Sequence, residues 1–283
     1  MNQFIILSKE QLQGEKALDI FKKMGLESEI TDYAIVMGCF ATKKDSINKG
    51  WWWTSTCLMD ISDHFDTGHA EYYPNDIATV FESGSIGESH VDAGGRGVRP
   101  AIRFSTIASM CGPIKVNHAG IKETEWGEYP QTVVSPELAN TLDRLFEENA
   151  LTATGKTYKD NDNQYIDLVE YEYQGERYVC FERSRDTNGS KEFLSTDEEV
   201  KRFQTYWLKV EPITWLIDEK NDIALSQKIL FHMYYDKRKG NNEIKFEDSD
   251  IKYYLDTTFS KEIIPTEEYK QIYGETTSNR GRK

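Results

Sequence analysis

The sequence predicts an α+β fold, a mixed sheet with flanking helices. Three observations predict it. Strand-like and helix-like segments are interspersed without the regular β-α-β alternation of a doubly wound sheet. The aromatic residues, 12% of 283, are mostly tyrosine (16) and phenylalanine (13), which suit strands better than a helical bundle. The stretch GWWWTSTC at 50–57 places three of the six tryptophans on consecutive positions. In a strand, Trp51 and Trp53 share one face and Trp52 takes the other, so the strand must be covered on both sides. Core packing is the expected role for all three, with an exposed sugar platform as the alternative.

The elements follow in order. QFIILS reads as a short buried strand. Ser8 with Gln11 three residues on has capping-box spacing and opens a helix. Leu12, Ala17, Leu18, Ile20 and Phe21 give that helix an apolar stripe, and Gly25 stops it. DYAIVMGCF reads as a second buried strand and GWWWTST as a third. Residues 58–95 lose periodicity and become rich in Asp, Ser, His, Tyr and Gly, as long loops with short strands inside. RGVRPAIRFS resumes a strand with Pro100 near its start or on an edge. Residues 105–119 read as a connector, ETEWGEYPQTVV as a strand, and SPELANTLDRLFEEN as a helix with Ser135 at the N-cap and Pro136 at the first helical position. YIDLVEYEYQGERYVCFE reads as a hairpin turning at Gln174-Gly175. YWLKVEPITWLIDEKNDIALSQKIL reads as two strands joined at 219–221. SDIKYYLDTTFSKEIIP is a capped helix ending before Pro265. The expected organisation is a module at 1–107, a connector at 108–117, a second module at 118–270 packing on the first, and a flexible tail at 271–283.

Several blocks together resemble a known family. WWWTST, a polar stretch and then GVRPAI are similar to the closing half of an uncharacterised bacterial domain family with W-W-x-x-S and G-V-R-P-A motifs. EWGEYPQTVV is similar to that family's W-G-x-Y-P-Q opening. VEPITWLIDEKNDIALSQKIL resembles its P-I-x-W strand and the strand after it, and FEDSDIKYYLDTTF resembles its helix. The resemblance implies a C-type-lectin-like scaffold, in the version shared by formylglycine-generating enzymes and retroelement variable proteins. In the family W-G-x-Y-P-Q comes first and V-R-P-A last. Here the halves stand in reversed order, as in a circular permutation. The expected structural core includes Trp126 and Trp215 beside Trp51, Trp52 and Trp53.

Motifs for chemistry are weak. The paired cysteines of formylglycine-generating enzymes have no counterpart among Cys39, Cys57, Cys111 and Cys180. Without a C-x-x-C these read as reduced thiols, and Cys57 as a small packed hydrophobe. DISDHFDTGH crowds Asp60, Asp63, His64, Asp66 and His69, but the spacing matches no strong metal signature. DNDNQYID lacks the glycine and glutamate of a calcium loop. TGKT at 154–157 reads as a turn. GGRGVR can cradle an anion or simply turn before a strand, and Arg99 reads as a buried structural arginine paired with an acid. No cofactor and no metal are expected.

The net charge of −14 argues against binding a phosphate backbone or an anionic membrane. The opening residues carry no basic leader, and no stretch is long and apolar enough to span a bilayer, so a cytoplasmic location is expected. The resulting expectation is a non-catalytic binding protein that presents a loop-rich surface to a protein ligand, through His64, Asp66, His69, Tyr72, Tyr73, Asn75 and Arg96. The rival reading is an acidic inhibitor or regulator docking on a basic partner, such as a phage-encoded blocker of a nucleic-acid enzyme. A metal- or copper-dependent oxidoreductase ranks third.

Overall fold

A computed structural model describes residues 4–58, 76–159, 167–183, 191–237 and 244–273, with 270–273 as backbone only. The protein is α+β, and its described residues form three sheets and short helices.

The first half begins with α1 (Lys9–Leu12), α2 (Asp19–Met24) and α3 (Asp32–Val36). The expected first strand reduces to a single bridge between Ile5 and Ala101. The expected single helix over this region is two, because the chain leaves helical geometry at Gln13 and turns at Gly14, with φ +78°. Ser8 caps as expected, its N–H donating to Gln11 Oε1 at 2.9 Å. Gly25, with φ +74°, ends α2.

The second expected strand is a helix. Thr31 Oγ1 accepts from the Ala34 N–H at 3.1 Å and starts α3. All five residues of α3 are buried. A helix buried all round shows no apolar stripe and reads in sequence like a buried strand. Asp32 anchors it: its carboxylate accepts from Val133 N, Ser195 N and Ser195 Oγ.

Strands β1 (Ala41–Lys44) and β2 (Ile47–Gly50) form a two-stranded sheet. β3 (Trp52–Cys57), β4 (Asp76–Val80) and β5 (Ile86–His90) form an antiparallel meander. β6 (Gly97–Val98) joins it parallel to β3. β7 (Ala101–Arg103) then enters a different sheet, so the single strand expected over RGVRPAIRFS breaks at Arg99-Pro100.

The connector holds α4 (Phe104–Ile107) and the short edge strand β8 (Lys115–Val116), which pairs with β9 (Lys122–Val133). α5 (Pro136–Glu147) starts at Ser135, whose hydroxyl accepts from Leu138 N. β10 (Thr152–Lys159) contains the TGKT stretch, so that stretch is a strand and not a turn. Its register with β11 (Asp167–Tyr173) slips between Ala153 and Thr157, around Gly155 at φ +86°. β11 and β12 (Glu176–Glu182) form the expected hairpin, with Gln174 at φ 53° and Gly175 at φ 78°.

β13 (Thr205–Asp218) is the spine. Leu208 and Lys209 pair with both β12 and β9, and residues 215–217 pair with both β9 and β14 (Ile223–Ser226). β12 and β14 therefore follow one another along one edge of β13, and β9 takes the other. β14 continues to β7, which brings the expected first module into the large sheet. β15 (Phe231–His232) pairs with β6 and reciprocally brings the second half into the tryptophan sheet. α6 (Asp250–Tyr254) runs through a π-helical turn (Leu255–Phe259) into α7 (Ser260–Glu262), and α8 (Thr266–Tyr273) follows Pro265. One hydrophobic cluster extends from Phe4 to Ile263 and draws on both halves. A smaller one, built on Leu142, Tyr178 and Trp207, lies under α5. Among the described residues no helix is long and apolar enough to cross a membrane.

Candidate functional site

The tryptophan strand separates its three indoles. Trp52 and Trp53 are fully buried on opposite faces. Trp52 stacks near Phe21 at 6.3 Å, whereas Trp53 packs edge-on to Tyr235 and donates Nε1–H to Met233 O at 2.8 Å. Trp51, just before the strand, is half-buried. Phe40 and Phe81 lie 4.8 Å and 4.6 Å from its ring, Arg96 lies 4.8 Å above it, and its Nε1–H is taken by Glu82. A ring so enclosed is packing at the rim of the core, not an open platform for sugar.

β3 and β4 define the candidate site. The chain leaves β3 at Leu58 and re-enters at Asp76, and the two ends are closed by Leu58 N–H to Asp76 O at 2.8 Å. Five of the expected contact residues, His64, Asp66, His69, Tyr72 and Tyr73, lie between these ends, as does Asn75, which immediately precedes Asp76. All six lie outside the described residues. The stem that leads into and out of them is well packed: every residue of β4 is buried, and β3 is anchored by Trp52 and Trp53. Around the stem, His90 Nδ1 lies 2.5 Å from Asp92 Oδ1, Asp236 N–H donates to Val91 O, and the Lys237 ammonium sits 5.5 Å over Tyr234.

Arg96 is the expected contact residue that the structure describes. Its Nε–H donates to Ser89 Oγ at 3.0 Å on β5, another N–H donates to Gly94 O, and its face covers Trp51. Partial burial holds its pKa below the usual arginine value. These contacts fix the 94–97 turn to the tryptophan sheet.

The blocks that carry the sequence resemblance are joints between elements. Arg99 donates Nε–H to Ser226 O at 2.9 Å and an Nη2–H to Gln227 O at 3.3 Å, and lies 5.3 Å over Trp52. Its partners are carbonyls, where an acid was expected. Glu29 is the nearby opposite charge, and burial pushes the Arg99 pKa down to about 9, which leaves it charged at neutral pH. Gly127 has φ +71°, and a Cβ there would lie 2.9 Å from Ile263 O. Trp215, fully buried, donates to Trp126 O at 2.8 Å, while Trp126 itself is half-buried against the core. Gln131 donates Nε2–H to the carbonyls of Glu211 and Pro212, at bulges in the β9–β13 ladder. A polar cleft of about 260 Å³ opens there, lined in part by Glu125, Gln131, Glu211 and Lys228.

The chain also holds a buried ionic cluster that sequence reasoning missed, with Lys156 and Glu170 fully buried beside Glu262. Its only trace in the sequence is the alternation Thr154, Lys156, Tyr158, in which the inward face is polar. Among the described residues, no group of three or more His, Cys, Asp or Glu side chains is placed to hold a metal ion. Cys57 is partly buried against the core, and burial raises the Cys39 thiol well above its ordinary value. Comparison with protein-family models, curated proteins and solved structures finds no match.

Proposed function

We propose that this chain is a non-catalytic binding protein that presents residues 59–75 to a protein ligand, on a C-type-lectin-like scaffold with its halves in reversed order. The observation that carries this reading is the closed stem. Two buried tryptophans, a fully buried partner strand and the Leu58–Asp76 hydrogen bond hold both ends of a segment rich in Asp, His and Tyr. Recognition residues are often carried this way, on connections positioned by a rigid frame. Tyrosine supplies large contact area at low entropy cost, and Asp and His supply hydrogen bonds.

The test replaces His64, Asp66, His69, Tyr72 and Tyr73 together and follows capture of a partner beside the melting temperature. Binding is expected to vanish while melting stays nearly unchanged. A parallel fall in stability would assign these residues to packing. The acidic-docking reading rests on the net charge of −14. It predicts binding that collapses with added salt and survives the five-residue replacement.

A further inference from the structure

Residues 262–266 cross β9, β10 and β11 on a dense set of polar contacts. Glu262 Oε2 accepts from Tyr254 OH at 2.6 Å and Tyr129 OH at 3.4 Å, and its Oε1 accepts from Lys159 N–H at 2.5 Å. Lys156 donates Nζ–H to Ile264 O at 2.7 Å and sits 4.9 Å over the Tyr158 ring. Thr266 donates its hydroxyl to Glu170 Oε1 at 2.7 Å and its N–H to Glu128 Oε2 at 3.3 Å. Glu170 also accepts from Thr154 and Tyr158, each at 2.8 Å, and Glu128 is paired with Arg177. Ile263 O accepts from Glu128 N–H at 2.8 Å. Lys156, Glu170 and Thr266 are fully buried, and Glu262 is nearly so.

We propose that residues 262–266 are a proton-operated latch that fastens α8 to β10 and holds most weakly near neutral pH. The groups facing it are Tyr254 from α6, Tyr129 and Glu128 from β9, Lys156 and Tyr158 from β10, Glu170 from β11, Arg177 from β12 and Tyr33 from α3. Burial pushes the Glu262 carboxyl up to about 7 from 4.5, against the donors and Lys156, which pull it down. Burial pushes the Lys156 ammonium down to about 8 from 10.5, against Glu170, Glu128 and Glu262. Burial raises Tyr129, Tyr158 and Tyr254 well above 10, so they stay neutral across this range.

Opening the latch returns both groups to water and to their ordinary values. The closed latch therefore binds the Glu262 proton more tightly than the open one. Raising the pH from 4.5 to 7 favours opening, and above 7 this group has no further effect. The closed latch binds the Lys156 proton less tightly. Raising the pH from 8 to 10.5 favours closing, and below 8 the cost of the buried ammonium is constant, so this group adds no pH dependence there. The two limbs leave a minimum of local stability between them. Most proteins are instead most stable in this range.

The test is hydrogen exchange of the full chain read by mass spectrometry across roughly pH 5–9, corrected for the intrinsic exchange rate. Protection of peptides covering 260–273 is expected to fall by up to about tenfold per pH unit towards neutrality. It should be lowest between the two limbs and recover on the alkaline side. Glu262→Gln should remove the acid limb alone, and Lys156→Met the alkaline limb alone. A wild-type profile that is flat, or that peaks at neutral pH, overturns the proposal whether or not the variants fold. A folded Glu262→Gln chain that keeps the acid limb also overturns it.

Discussion

Gly97 has no room for a methyl group. A Cβ there would lie 2.2 Å from Ile229 Cγ2 and 2.9 Å from Cys39 Sγ, both fully buried residues. Neither neighbour can swing away without moving β15 or the end of α3. Gly97→Ala should therefore destabilise the chain by about 1–3 kcal/mol, read as a lower denaturant midpoint with an unchanged slope. The tryptophans give a graded test of the same packing. Trp52→Ala empties a fully enclosed site and should cost about 3–5 kcal/mol, whereas Trp51→Ala at the rim should cost less. Acrylamide should quench Trp51 in preference to Trp52 and Trp53. At this scale the sequence was informative where one residue type answers one geometric need. Three tryptophans announced a strand covered on both faces, whereas the glycines of GGRGVR read as a turn and gave no sign of the close approach at Gly97. Arg99 was legible as structural, but its partners were not: carbonyls leave no mark in a sequence, because every residue has one.

Elements were legible where their apolar period was clean. α5, with its Ser135 cap and Pro136, falls where the signals put it, and so does the Gln174-Gly175 turn. Two errors have the same origin. α3 is buried on every side, so its sequence has no polar face to reveal a helical period. β10 faces inward with Thr154, Lys156 and Tyr158, so its alternation runs against the usual polarity and passed as a turn. Each element holds through polar contacts that hydropathy does not record. Thr31 illustrates the consequence. Its hydroxyl accepts from Ala34 N–H and donates to Leu230 O at 3.1 Å, which ties the start of α3 to the segment before β15. Thr31→Ala should cost at least the roughly 1 kcal/mol of a lost cap, measured by equilibrium unfolding. Thr31→Ser keeps both bonds and should recover most of that loss.

At the scale of the whole molecule, the halves exchange structure. β7 from the first half closes the large sheet against β14, and β15 from the second half completes the tryptophan sheet against β6. Arg99 reaches across to Ser226 and Gln227, and Phe4 packs 6.2 Å from Trp215 and 5.1 Å from Phe259. Neither of the two larger sheets is complete in one half alone, and the main apolar cluster runs through both. The joining segment is different: Met110, Ile114 and Val116 are exposed, and β8 is a two-residue edge strand paired with β9. Cutting the chain there removes covalent continuity and leaves the buried contacts in place. Chains of residues 1–113 and 114–283, expressed separately, should each be poorly folded, because each exposes apolar surface that the other covers. Co-expressed, they should form a stable complex that melts in one cooperative transition, at a temperature that rises with protein concentration. Circular dichroism melts of the separate and mixed fragments measure this directly. Two fragments that each melt cooperatively, at temperatures indifferent to mixing, would mean that each half closes its own core and that the shared sheets contribute little.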